Sequence, residues 1–212
     1  MSRSYCYQCF RAEDACLCGW AVRIDNSINV IVLQHPDEVK NAKGSAVIAK
    51  LCLEHYQCWQ GEDFSLHHEI NQLIATSSDK ICVLYPSESS VLIEDCLHNN
   101  TGANINNIEY VIFIDATWRK AKKIWQLSKN LHHLTTVKLD VANQSNYRIR
   151  KVPADGYLST VEAITNCLAY IDQDLEKYQP MLDLFDEMID YQIKKMGKSV
   201  YESNYQNNSD SK

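Results

Sequence analysis

The sequence predicts an α/β fold, a mostly parallel sheet flanked by helices with a small module ahead of it, on three observations. Short, unbroken apolar runs rich in β-branched residues recur at Ile28 to Leu33, Ile81 to Tyr85 and Tyr110 to Ile114. Strands buried on both faces carry this pattern, because neither side of the pleat meets water. Segments with helical spacing, Ala46 to Leu51 and Glu69 to Ile74, separate the runs, which gives the β-α-β alternation of a doubly wound sheet. Four cysteines, at 6, 9, 16 and 18, crowd the first twenty residues, which show no period of their own.

The remaining elements follow in chain order. A fourth strand is predicted at Thr135 to Leu139. Ser159 with Glu162 three residues on spells a capping box, so a helix should begin near Thr160 and reach about Ile171. A last helix is expected with Pro180 in its first turn and Met181, Leu184, Phe185, Met188 and Ile189 on one face, ending near Lys195. The domains are then 1–20, a metal-binding module; 21–200, the main α/β unit; and 201–212, a polar tail expected to be disordered.

With 212 residues, 45% hydrophobic and 23% charged, the chain has ordinary globular composition and can bury a sizeable core. No apolar stretch is long enough to span a bilayer, and Arg3, Arg11, Glu13 and Asp14 interrupt the first twenty residues, so neither a membrane nor a signal peptide is indicated. A cytoplasmic protein is expected. There the nine cysteines would stay reduced rather than form a disulfide framework.

Cys6, Cys9, Cys16 and Cys18 form C-x2-C-x6-C-x-C, four soft ligands that suffice for one tetrahedral zinc. A closed shell of four thiolates leaves no place for water, so the ion would be structural. Cys52, Cys58, Cys82, Cys96 and Cys167 lie in apolar or helical surroundings and read as small buried hydrophobes.

Net charge is −6, but its placement matters more than its sum. Between Ala116 and Lys151 nine basic residues face Asp140 alone, giving +8, whereas five basic and nine acidic residues from Asp172 to Lys212 give −4. A basic segment of that length is the footprint of a phosphate-backbone binder or else a solvated helix face. RNA is the expected partner.

Ligands of open α/β sheets sit beyond the carboxyl ends of the strands. Three exits are chemically unusual: Gln34-His35-Pro36-Asp37-Glu38, Tyr85-Pro86-Ser87-Glu88 and Asp115-Ala116-Thr117-Trp118. Asp115 directly follows YVIFI, where a carboxylate is desolvated yet reachable; it suits a base, and equally a helix cap. Trp118 suits base stacking or core anchoring, and Thr117 a ligand contact or a cap.

These segments together resemble the DTW-domain family. The Asp115-Ala116-Thr117-Trp118 signature, the N-terminal cysteines, His35-Pro36-x-Glu38, Tyr85-Pro86 and Leu158-Ser159-Thr160-x-Glu162-Ala163 match in order and approximate spacing over roughly residues 5 to 172. Asn41 to Ser45 departs from the Asn-Thr-Gly wording of some relatives. The resemblance implies a SPOUT-like fold with a trefoil knot and a tRNA-uridine aminocarboxypropyltransferase. Such an enzyme moves the 3-amino-3-carboxypropyl arm of S-adenosylmethionine to N3 of a uridine and releases methylthioadenosine; the compact length suggests the variable-loop uridine at conventional tRNA position 47, while relatives also modify D-loop uridines.

On that resemblance Asp115 is the catalytic candidate, as the group that takes or shares the N3 proton. Tyr85, Pro86, Thr117, Trp118, Leu158, Ser159, Thr160 and Glu162 are cofactor-binding candidates, Glu162 either orienting the cofactor's amino group or completing the capping box. Arg119, Lys120, Lys122 and Lys123 would meet tRNA phosphates, with Arg148 and Arg150 as a second clamp. His35 and Glu38 match a motif of undefined role, and monomer and homodimer both remain open. Two other readings compete: a SPOUT-type RNA methyltransferase, whose product is S-adenosylhomocysteine, and a noncatalytic zinc-containing RNA-binding adaptor.

Overall fold

A computed structural model describes residues 4–97, 107–140, 148–149 and 158–206. Six strands, β1 (Asn29–Gln34), β2 (Tyr56–Gln60), β3 (Ile81–Leu84), β4 (Val91–Leu92), β5 (Tyr110–Asp115) and β6 (Thr135–Lys138), form one sheet in the order β2-β1-β5-β3-β6-β4. Every ladder between these strands is parallel, so their carboxyl ends share one edge. The four expected strands are present within a residue or two.

Two strands have no counterpart in the apolar pattern. The β2 segment, YQCWQ, interleaves polar side chains because it is an outer strand paired only with β1. At the opposite edge, β4 is two residues long, too short to give any period.

The pleat divides the core in two. Val30 and Val32 of β1, Cys82 of β3 and Val111 and Phe113 of β5 face one buried cluster, against α1 (Ala46–Cys52), α5 (Thr160–Asp172) and α6 (Leu175–Met196). Ile31, Leu33, Ile81, Val83 and Ile112 face the other, against α2 (His68–Ser77) and α4 (Trp118–Leu127). Helices on both sides explain why the central strands read as continuous apolar runs. The short α3 (Ile93–Leu97) follows β4.

The capping box predicted for α5 is present: Ser159 Oγ accepts from the Glu162 amide at 3.3 Å, and Glu162 Oε2 accepts from the Ser159 amide at 2.6 Å. The last long helix starts earlier than expected. Asp174 caps it by accepting from the Lys177 amide at 3.0 Å, so α6 begins at Leu175 and Pro180 lies inside it. A proline in the second turn forgoes one helical hydrogen bond, and the burial of Tyr178, Met181, Leu184 and Phe185 outweighs that loss.

The cysteine segment is fastened to the main unit. Cys9 and Leu17 belong to the α5/α6 core cluster, Arg11 Nη1 meets Met188 Sδ at 3.4 Å, and Lys195 pairs with Asp14 at 2.8 Å. Past residue 200 the chain stays helical where a polar tail was expected, through α7 (Lys198–Tyr201) and the turn Glu202–Gln206. The Lys43 ammonium donates to the Tyr205 hydroxyl at 2.7 Å and so ties that turn to the loop before α1. Residues 207–212 lie outside the described residues.

Candidate active site at the carboxyl edge of the sheet

Parallel pairing sets Gln34 opposite Asp115 and Gln60 at the ends of three adjacent strands. Period two then fixes which side chains meet. Asp115 follows Val111 and Phe113 onto the α5 face, Gln34 follows Val30 and Val32, and Tyr56 and Cys58 of β2 pack on the same side.

Asp115 is 4% exposed, and a buried carboxylate needs hydrogen-bond donors. It has them on both oxygens: Oδ2 accepts from Gln34 Nε2 at 2.8 Å and Oδ1 from Thr160 Oγ1 at 2.6 Å. The carboxylate thus bridges β1 to the first residue of α5. The capping position of α4, which starts at Trp118, is Thr117, whose side chain makes no capping bond.

Cys58 Sγ lies 3.9 Å from Gln34 Oε1, which extends the chain of polar contacts to the outer strand. Burial pushes the Tyr56 phenol and the Cys58 thiol upward, and the neighbouring Asp115 charge pushes both the same way. Each therefore stays protonated at neutral pH and can donate.

The amino end of α1 joins the same place. Ser45, 3% exposed, accepts from the Val161 amide at 3.3 Å, so the first turns of α1 and α5 lie together. His35 and Glu38 brace the loop leading there. The Asp37 amide donates to His35 Nδ1 at 3.1 Å, so the ring proton sits on Nε2 and points at Glu62 Oε1, 2.7 Å away. Glu38 Oε2 accepts from Asn41 Nδ2 at 2.7 Å. Gly44 closes the turn, where a Cβ would stand 3.1 Å from the Asn41 carbonyl.

Other candidates are placed differently. Tyr85 falls on the opposite side of the sheet from the Asp115 carboxylate, its ring stacked on Trp125 of α4 at 4.6 Å. Leu158 packs into the α5/α6 core, while Pro86 is exposed. Trp118, 41% exposed, stands at the start of α4 just beyond the edge. Gln34, Cys58, Ser45 and Glu62 are not among the site candidates read from sequence, although Gln34 opens one of the unusual strand exits. It could have been one, as the last residue of a strand paired in register with the one that ends in Asp115.

The basic helix shows its charge unevenly. Arg119, Lys122 and Lys123 lie on one exposed stripe, opposite buried Ala121 and Ile124. Lys120 pairs with Asp37 at 2.7 Å and Lys123 with Glu62 at 2.6 Å; these lysines hold both carboxyls below their usual range, with His35 also acting on each. Arg119 and Lys122 make no ion pair among the described residues. Arg148 pairs with Asp190 of α6 at 2.7 Å, on the other side of the sheet from α4, and Arg150 lies outside the described residues.

The four N-terminal cysteines converge. All four sulfurs lie within 4.8 Å of one another, with Cys6 to Cys18 at 3.7 Å and Cys9 to Cys16 at 3.8 Å. Thiolates about 2.3 Å from a tetrahedral zinc stand about 3.8 Å apart, so the donor set and its spacing fit that ion. Backbone amides of Cys9 and Gln8 aimed at Cys6 hold its thiol down at about 6, ready to ligate. Phe10 takes a left-handed φ of 57° to turn the chain between ligands. Of the remaining cysteines, Cys52, Cys82, Cys96 and Cys167 are buried as expected, and Cys58 is half-buried beside Gln34.

A cavity of about 290 Å³ between α2 and the sheet is lined by Trp59, Leu73 and Tyr110. Tyr110 begins β5, whereas Asp115 ends it, so the cavity is separate from the site. No helix of the described residues is long and apolar enough to cross a membrane.

A DTW domain model matches residues 3–193. The chain is 32% identical to tRNA-uridine aminocarboxypropyltransferase 2 of Drosophila melanogaster, over 90% of this chain and 76% of that protein. It is 24% identical to the protein of the same name from Macaca fascicularis, covering 90% of this chain but 64% of the relative. With tRNA-uridine aminocarboxypropyltransferase 1 of Homo sapiens the identity is 25%, over 92% and 74%. No solved structure gives a significant match.

Proposed function

Because the chain belongs to the DTW domain family, we propose that it is a tRNA-uridine aminocarboxypropyltransferase using S-adenosylmethionine. The 3-amino-3-carboxypropyl group passes to N3 of the variable-loop uridine at conventional position 47, and methylthioadenosine leaves. The observation that carries this reading is Asp115, a buried carboxylate held at the edge where α1, α5 and the basic helix α4 begin. A SPOUT-like knotted path goes with it; of the stretch between β6 and α5, residues 141–147 and 150–157 lie outside the described residues.

S-adenosylmethionine supplies an electrophilic carbon beside its sulfonium, so that as the N3–C bond forms the C–S electrons stay on sulfur. One feature of the residues present suits such a ligand: the exposed Trp118 face can stack an adenine or the target base. Thr117, Trp118 and the backbone of the Tyr85-Pro86 turn and of Leu158-Ser159-Thr160 would line it, with Glu162 fixing the turn through its capping box. Asp115 would accept or share the N3 proton as that nitrogen becomes nucleophilic. Most of the gain would come from alignment, which can supply on the order of 7–11 kcal/mol.

The α4 stripe would hold phosphates beside the target base: Arg119 and Lys122 directly, Lys120 and Lys123 after exchanging Asp37 and Glu62 for phosphate. Cys6, Cys9, Cys16 and Cys18 would hold a structural zinc within a module, 1–20, that steadies α6. Incubation with unmodified tRNA and S-adenosylmethionine tests the function. Methylthioadenosine and an aminocarboxypropylated uridine are expected; S-adenosylhomocysteine with a methylated base would overturn the reading.

A further inference from the structure

Gln34 ends β1 at the position paired with Asp115, and its amide has one workable orientation. A carboxylate only accepts, so Nε2 faces Asp115 Oδ2 at 2.8 Å. That turns Oε1 toward the neighbouring strand, where Cys58 Sγ lies at 3.9 Å and can donate. On the other oxygen, the Thr160 hydroxyl donates at 2.6 Å from the first residue of α5. The Ser159–Glu162 capping box fixes where that residue sits.

We propose that Gln34 and Thr160 are positioning residues for Asp115, gripping its two oxygens from opposite elements, and that Cys58 sets the Gln34 amide. Neither need touch the transferred group. Their effect is to hold the carboxylate in the one rotation that presents it to the reacting uridine, while linking that rotation to the α5 turn proposed to meet the cofactor. The inference rests on the transfer function proposed above. A carboxylate so held loses no time or free energy finding its orientation during reaction, which is what preorganised groups contribute.

The test is a double-mutant cycle on the full-length protein, read as single-turnover rate at saturating tRNA and S-adenosylmethionine. Gln34→Met and Thr160→Val remove the donors at nearly constant volume; each should slow the step about tenfold while the apparent affinities for both substrates change less than about twofold. Thr160→Ser, which keeps the hydroxyl, should restore most of the rate. In an Asp115→Ala background the same two substitutions should cost nothing further, because they act through a group already gone. Equal losses in both backgrounds, or losses confined to substrate affinity, would overturn the pair. Thr160 supplies an independent arm should Gln34→Met fold poorly. Wild-type protein that releases no methylthioadenosine overturns the transfer reading itself and the catalytic use of the pair with it; wild-type transfer with background-independent losses removes the pair alone.

Discussion

The Thr160 hydroxyl donates to Asp115 Oδ1 at 2.6 Å, joining the last residue of β5 to the first of α5 across 45 positions of sequence. This bond couples the capping of α5 to the placement of the Asp115 carboxylate. A frayed first turn would carry Thr160 away from the carboxylate.

Ser159→Ala should therefore act on stability first. Loss of a side-chain cap costs about 1 kcal/mol, or about 2–4 °C in Tm for a chain of this size. Thermal unfolding followed by circular dichroism measures it, and an unchanged Tm would show that the box contributes nothing to holding α5.

The four-cysteine cluster predicts a second outcome. Freshly purified protein should contain about one zinc per chain, and Cys6→Ser with Cys9→Ser should abolish it by elemental analysis. Because Cys9 and Leu17 share the α5/α6 core, stripping the ion should also lower the unfolding temperature of the whole unit, not of the first twenty residues alone.

RNA affinity should fall steeply with salt, as each neutralised phosphate releases counterions. Arg119→Ala and Lys122→Ala should each reduce the log–log salt slope by about 1. Glu62→Gln should do the reverse, strengthening binding by releasing Lys123 from its 2.6 Å pair. Filter binding across a salt series distinguishes these; a slope indifferent to Arg119 and Lys122 would remove α4 from the interface.

Acid should loosen the turn between α5 and α6. Burial alone would raise the Asp172 carboxyl, but donors from Lys177 at 2.7 Å, Tyr178 at 2.6 Å and Ser27 at 2.7 Å hold it below its ordinary value. With the folded value depressed, this stabilisation is fully present above the ordinary carboxylate range and is lost as pH falls through the folded value. Asp172→Asn should cost about 2 kcal/mol at neutral pH and flatten the decline of stability below about pH 5, as urea titrations at several pH values will show.

Much of this molecule is legible in its sequence, for local reasons. Four strands, the α5 capping box and the cysteine cluster follow from neighbour-scale chemistry: apolar runs buried on both faces, a serine and a glutamate three apart, four thiols within thirteen positions. The order of motifs names the family. What lay beyond reach was set by pairing between distant segments. The register of β1 on β5 puts Gln34 against Asp115, and the pleat then sends the Tyr85 ring to the opposite side of the sheet. Ion pairs between α4 and the strand-exit loops occupy Lys120 and Lys123 in a helix that reads as uniformly basic. Asp115 itself shows the division: its place at a strand end is a property of the local sequence, but whether it caps a helix or bridges two elements depends on donors 81 and 45 residues away. Only the packed sheet brings them within 3 Å, because parallel strands align residues that the chain keeps far apart.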